Sequence, residues 1–298
     1  MKQITINGDK YQLPSRWNEL TASQLLIIAE LSLQEDSPAA IRTKAFFGLM
    51  GFTVNQAQER IIDGELCYYV SNSKKTYLLR LTDILYMCEP LSFMFEKTTS
   101  ESGEEKYQYR SRLFKQLISK IKVAGKIWHG TADGLTNILF SEYIRCETYF
   151  AKFLETENLF FADCLIATMY RPIHPEYKAD DIRFSADCRE PLNDFNIENR
   201  AKQLNISHEL RQAILFFYEG CKYFLTQKYP LVFESVSKKT EKKLDTFENY
   251  IRLATSLAKN DATQVDAWLS ANLHAVMLAM DNARAEQKEL EKLYKKNK

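Results

Sequence analysis

The residue types able to carry covalent or metal chemistry are few in this chain, and they lie far apart. Its histidines are His129, His174, His208 and His274, each isolated from the others. A zinc-binding or acid–base histidine needs partners converging on it, and no sequence neighbour supplies them. Its cysteines are Cys67, Cys88, Cys146, Cys164, Cys188 and Cys221, without a CxxC pair for zinc or for thiol exchange. Cys146, Cys164 and Cys221 fall in helical apolar patterns, where a thiol acts as a small hydrophobe. With no secretory leader expected, all six are read as reduced. The chain has no HExxH and no GxSxG.

Phosphate chemistry is also poorly served. Gly125-Lys126 resembles the end of a phosphate-binding loop, but Lys120 stands where the first Gly belongs and Ile127 where a hydroxyl would hold magnesium. Nine glycines in 298 residues leave little for a Gly-rich cradle. No catalytic residue, cofactor or metal is therefore expected.

One carboxylate stands apart. A helix expected over residues 141–155 carries the apolar stripe Phe140, Ile144, Phe150, Ala151 and Leu154, and Glu147 falls on the same face. A carboxylate on a core stripe needs a partner. Arg171, at the end of the next helix and just before Pro172, is the nearest attractive one. A structural ion pair between Glu147 and Arg171 is expected; the functional alternative, a catalytic acid, lacks a second catalytic group beside it.

The elements that would position these groups are mostly helices. Residues 3–13 and 120–129 alternate apolar and polar side chains around a Gly, the pattern of a tight hairpin. Thr21 with Gln24 forms a capping-box signature, and Ser37-Pro38 a second helix start. A short helix is read over residues 54–62, a hairpin over 67–79 and another helix over 82–87. The polar stretch 98–107 reads as a loop or linker. Downstream, helices are expected over 159–170, from Ser207 to before Pro230, over 245–257 and from 263 to the end. A short strand is expected around Ile182, a charged connector over 238–243. The fold class is mostly α with small β-hairpins (α+β). The organisation expected is a hairpin-plus-helices unit over 1–97, the linker 98–107, and a second hairpin with a helical domain over 108–298.

The two hairpins also correspond residue by residue. Ile4, Ile6, Gly8 and Tyr11 map onto Ile121, Val123, Gly125 and Trp128 at one constant offset. Leu20, Gln24, Leu25 and Ile28 map onto Ile138, Glu142, Tyr143 and Cys146 at an offset one residue longer. A tandem duplication of the unit is one reading; chance similarity of common elements is the other.

Composition narrows the class further. Hydrophobic residues make up 45% and charged residues 27%, enough to bury a core. A net charge of +1 supplies no global field toward nucleic acid or an anionic membrane. No apolar run approaches the roughly 20 residues of a membrane span. The opening residues lead into an alternating strand rather than a secretory h-region, so a soluble, cytoplasmic chain is expected. Lys115, Lys120, Lys122 and Lys126 lie near Tyr107, Tyr109 and Trp128, a pattern that can bind single strands or simply guard a strand edge.

Residues 281–298 are rich in Glu, Gln, Lys and Ala, and favour helix. Their apolar stripe is narrow: Leu290, Leu293 and Tyr294. It is either a solvated tail or a docking stripe for a partner or a second copy.

Several segments together resemble proteins of phages and prophages of Bacteroidetes-type bacteria placed among tail-assembly genes. They are Ile4-Thr5-Ile6-Asn7-Gly8-Asp9-Lys10-Tyr11-Gln12-Leu13-Pro14 with Trp17, Leu20-Thr21 and Gln24-Leu25; Gly130-Thr131-Ala132-Asp133-Gly134-Leu135-Thr136-Asn137 with Phe140-Ser141-Glu142-Tyr143; Leu165-Ile166-Ala167-Thr168-Met169-Tyr170-Arg171-Pro172; and Ile214-Leu215-Phe216-Phe217-Tyr218-Glu219-Gly220-Cys221. The resemblance implies a non-enzymatic, chaperone-like tail-assembly protein in the host cytoplasm or on the virion. Its implied partner is another tail protein, such as the tape measure or tube protein, or a second copy of itself. The alternative is a structural virion or nucleic-acid-associated component.

Overall fold

The computed structural model describes residues 1–73, 75–99, 103, 105–178, 180–181, 187–234, 246–258 and 261–296. It is mostly helical, with small antiparallel sheets. The chain divides into two compact units. One comprises residues 1–113 with 207–220, the other residues 114–206 with 221–298.

The first unit opens with β1 (Lys2–Ile6) and β2 (Asp9–Leu13), paired from Lys2↔Leu13 to Ile6↔Asp9. The two-residue turn Asn7-Gly8 has φ of 47° and 88°, the positive pair that matches strand twist. Alternation buries Ile4, Ile6 and Leu13. A 3-10 turn at Trp17–Glu19 leads to α1 (Ala22–Ser32). Thr21 and Gln24 close the expected capping box there, each side chain holding the other's backbone N–H. α2 (Pro38–Met50) starts at the Ser37 cap and stops at Gly51, whose φ of 65° suits glycine.

The helix expected over residues 54–62 is a strand. β3 (Thr53–Ile62), β4 (Glu65–Ser71) and β5 (Thr76–Arg80) form one antiparallel sheet. Thr53, Val54, Ile61 and Ile62 are β-branched, and Asp63-Gly64 makes a second positive-φ turn, so pairing with β4 overrides the helical spacing. α3 (Leu81–Met87) follows as expected. The expected linker is in fact part of a hairpin, β6 (Phe95–Thr99) with β7 (Glu105–Tyr109), in register from Phe95↔Tyr109 to Thr99↔Glu105. Its polar residues point outward from a two-stranded ribbon, and so they read as loop. Residues 207–220 complete this unit, placing Phe216 against Trp17 and Tyr109, at ring distances of 5.1 and 5.8 Å.

The second unit repeats the opening. β8 (Lys120–Val123) and β9 (Lys126–His129) flank a turn at Ala124-Gly125 with φ of 47° and 80°. A 3-10 turn at Asp133–Leu135 leads to α4 (Phe140–Thr156). Most matched positions agree in burial as well, though Tyr11 and Gln24 are half-buried where Trp128 and Glu142 are buried. Leu20, Leu25 and Ile28 are buried, and so are Ile138, Tyr143 and Cys146. Hairpin, 3-10 turn and helix thus recur in order, with the same turn geometry.

α5 (Leu159–Met169) begins at the Asn158 cap, and β10 (Arg171–Pro172) adds to β9. The strand expected around Ile182 and the connector 238–243 lie outside the described residues. α6 (Asp194–Ala201) was not expected; its burial rests on Ile197 and Ala201 alone, too narrow a stripe to read. α7 (His208–Lys228) follows, then α8 (Pro230–Phe233), α9 (Thr246–Leu257), α10 (Ala262–Leu269) and α11 (Leu273–Lys296). The helix expected from residue 263 onward is broken between α10 and α11. There the backbone turns to pair with the start of α4: Phe140 N–H donates to Ala271 O and Leu273 N–H to Ile138 O, at 2.9 and 3.0 Å. Asn272 holds the break, its amide donating to Thr136 O and its oxygen accepting from His274 N. All six cysteines are free thiols.

Candidate functional site

The most heavily buried charge cluster lies in the second unit and corrects the expected ion pair. Arg171 is 1% exposed, and it reaches Glu142 rather than Glu147, with Nη1 2.7 Å from Oε1. Glu142 lies on the helical turn before Glu147, and Arg171 leaves β10 toward that turn. Arg171 Nη2 also lies 3.4 Å from Asp187. Arg189 grips the same Asp187 with two prongs at 2.7 and 2.8 Å, lies 3.6 Å from Glu142, and donates to Met169 O at 2.5 Å. Two guanidiniums thus face two carboxylates, and the backbone bridge Ile173↔Arg189 carries the far side into place.

Glu147 is buried as expected, but its ion pair is with Lys222 of α7 at 3.0 Å. That ammonium also lies 4.8 Å above the Phe150 ring. The stripe expected on α4 is rotated: Glu142 and Tyr143 turn inward, while Leu154 stands exposed. Burial, then the neighbouring Arg189, pulls Arg171 below its ordinary pKa. Two orphaned buried atoms, Glu142 Oε2 and Arg171 Nε, make no hydrogen bond among the described residues. With each carboxylate gripped by a guanidinium, the cluster clamps α4, β10 and residues 187–189 together. It offers no free acid or base.

Beside it, Cys188 Sγ lies 4.0 Å from His129 Nδ1. Cys188 is the one cysteine of the six that is not fully buried. Burial, with Lys120 adding to it, lowers the His129 pKa and so favours the neutral ring, whose Nδ1 faces the thiol. The pair was missed because strand pairing, rather than sequence proximity, brings the two residues together. Among the described residues no group of three or more potential metal ligands occurs.

Two surfaces remain. The end of α11 exposes Leu290, Leu293 and Tyr294, at 55%, 58% and 72%. In the first unit, a groove of about 430 Å³ runs along β1. Leu79, Asp83, Tyr86, Met87 and Pro90 line it opposite residues 2–7. The lysines of the second hairpin, Lys120, Lys122 and Lys126, are exposed, but the Trp128 beside them is buried and presents no stacking face.

No helix of the described residues is long and apolar enough to cross a membrane. Comparison of the chain with protein-family models, with curated proteins and with solved structures finds no match.

Proposed function

We propose that the chain is a non-enzymatic phage or prophage tail-assembly protein that binds another tail protein, such as a tape measure or tube protein. The observation that carries the binding role is the apolar stripe at the end of α11. Leu290, Leu293 and Tyr294 lie on adjacent turns, all more than half exposed, on a stretch where every neighbour from Glu289 to Lys295 is exposed as well. A stripe at this spacing offers anchors for a helix of a partner. The tail-assembly role is supported by the sequence resemblance.

The test is co-expression with the tail proteins of the same phage or prophage, using the full chain and a chain lacking residues 290–298. Both should fold, since residues 290–295 are exposed. The full chain should co-purify with a tail protein and the shortened chain should not. Equal recovery with both would remove the stripe from the interface, and no recovery with either would count against the tail-assembly role.

A further inference from the structure

We propose that the free edge of β1 is a strand-addition site, which takes an extended segment of a partner polypeptide into the groove walled by Tyr86, Met87 and Pro90. This rests on the reading of the chain as a partner-binding protein and specifies what the partner presents.

The hairpin geometry decides which backbone groups are free. In a two-residue turn with positive φ at both positions, the flanking residues exchange both hydrogen bonds. Ile6↔Asp9 is therefore a bonded pair, and alternation makes Ile4↔Tyr11 and Lys2↔Leu13 bonded pairs too. Between them, Gln3 and Thr5 turn their N–H and C=O groups away from β2. The sheet ends at β1, and those groups have no partner among the described residues. An unpaired edge is a template for a further strand.

What sits across the groove selects for a strand that is apolar on one side. Leu79, Met87 and Pro90 line it, and Tyr86 is 82% exposed at its rim. Alternate side chains of an added strand would lie along this wall. Lys2 and Asp83 line the groove too, and neither is in an ion pair among the described residues. Their charges are complementary to a segment that carries one acidic and one basic side chain. The occupant is thus an extended, amphipathic peptide segment rather than a helix.

The test selects binders from a displayed library of random linear peptides against the full-length protein. The enriched peptides should alternate apolar residues and carry both charge signs. A selected peptide should bind the Thr5→Val variant as well as the original protein. It should bind Thr5→Pro about two- to tenfold more weakly, because proline removes the outward N–H, worth about one charge-free hydrogen bond. Proline is tolerated at such a position, since that N–H makes no bond to β2. If Thr5→Pro fails to fold, amide exchange on the original protein decides: the Gln3 and Thr5 amides must slow when peptide binds.

Equal binding to Thr5→Pro, unchanged exchange, or no enrichment would overturn the proposal. So would dimerisation through β1 that peptide cannot compete, which makes a second copy the occupant. The chain lacking residues 290–298 should capture peptide normally. Peptide capture without any tail-protein partner therefore fails the tail-assembly reading alone, and tail-protein binding that survives Thr5→Pro without peptide capture fails this one alone.

Discussion

Glu142 and Glu147 lie on one helix, both buried, and removing the charge from each should have different consequences. Glu142→Gln leaves Arg171 in the interior with one carboxylate fewer. Breaking a buried pair costs on the order of 3–5 kcal/mol. Glu147 meets Lys222, whose side chain is 33% exposed, so solvent screens the pair. Glu147→Gln should cost about 1–2 kcal/mol, between the buried and exposed limits. Chemical denaturation of both variants checks the ranking; equal midpoints would mean that losing the Arg171 partner costs no more than losing the screened Lys222 partner. His274 makes a second case. Its Nε2–H donates to Gly134 O at 2.9 Å, and its Nδ1 accepts from the Tyr229 hydroxyl at 2.9 Å. Burial, with Lys228 adding to it, lowers its pKa below the ordinary 6.5. The unfolded chain then binds the proton more readily, so the contribution is complete above pH 6.5 and fades as acid drives the pH down through the folded value. His274→Gln should lower the melting temperature at neutral pH and lose less of it between about pH 7.5 and pH 5 than the original chain. A parallel pH profile in the two proteins would refute this.

At the scale of elements, the close approach of Gly220 to the chain at Leu113 should be sensitive to a single methyl group. A Cβ on Gly220 would lie 2.3 Å from the Leu113 backbone nitrogen and oxygen. Alanine normally improves a helix by up to about 1 kcal/mol over glycine. Here the obstacle is backbone, which cannot rotate aside. Gly220→Ala should therefore destabilise by about 1–3 kcal/mol or more, read by thermal melting; a stabilised variant would mean the two segments part easily. Much at this scale was legible in the sequence. The turns Asn7-Gly8 and Ala124-Gly125, the Thr21–Gln24 box and the Ser37-Pro38 start depend only on neighbouring residues, so local chemistry specifies them. What failed depended on distant partners. β3 follows a helical spacing until β4 pairs with it. The β6–β7 pair packs Phe95 on Tyr109 at its base, and the largely polar residues beyond them give no alternation to read. The α10–α11 break exists because residues 138–140 pair with it. In the site, Glu147 was rightly placed in the interior, but its partner was not, because a helix face does not say which of two cations reaches it. Cys188 and His129 were invisible for the same reason.

Taken over the whole molecule, the first unit is not a continuous piece of chain. Residues 207–220 bring Phe216 to Trp17 and Tyr109 after the intervening sequence has built part of the other unit. A fragment ending at residue 113 should then keep Trp17 against Phe93 but lose the packing of Phe216 on Trp17 and Tyr109. Near-ultraviolet circular dichroism would show a weak signal from Trp17 and a loss of cooperative melting. A sharply melting fragment would show that residues 207–220 are dispensable to that unit. The discontinuity also bears on how the protein is made. On the ribosome, the amino-terminal hairpin and helices emerge first but wait for the segment that completes their core until about a hundred more residues have been synthesised. At roughly 5–20 residues per second, that is a delay on the order of 5–20 s. During this interval the aromatic surface around Trp17 and Tyr109 stays uncovered by Phe216. The order of synthesis thus leaves an aromatic face open until the chain itself supplies its cover.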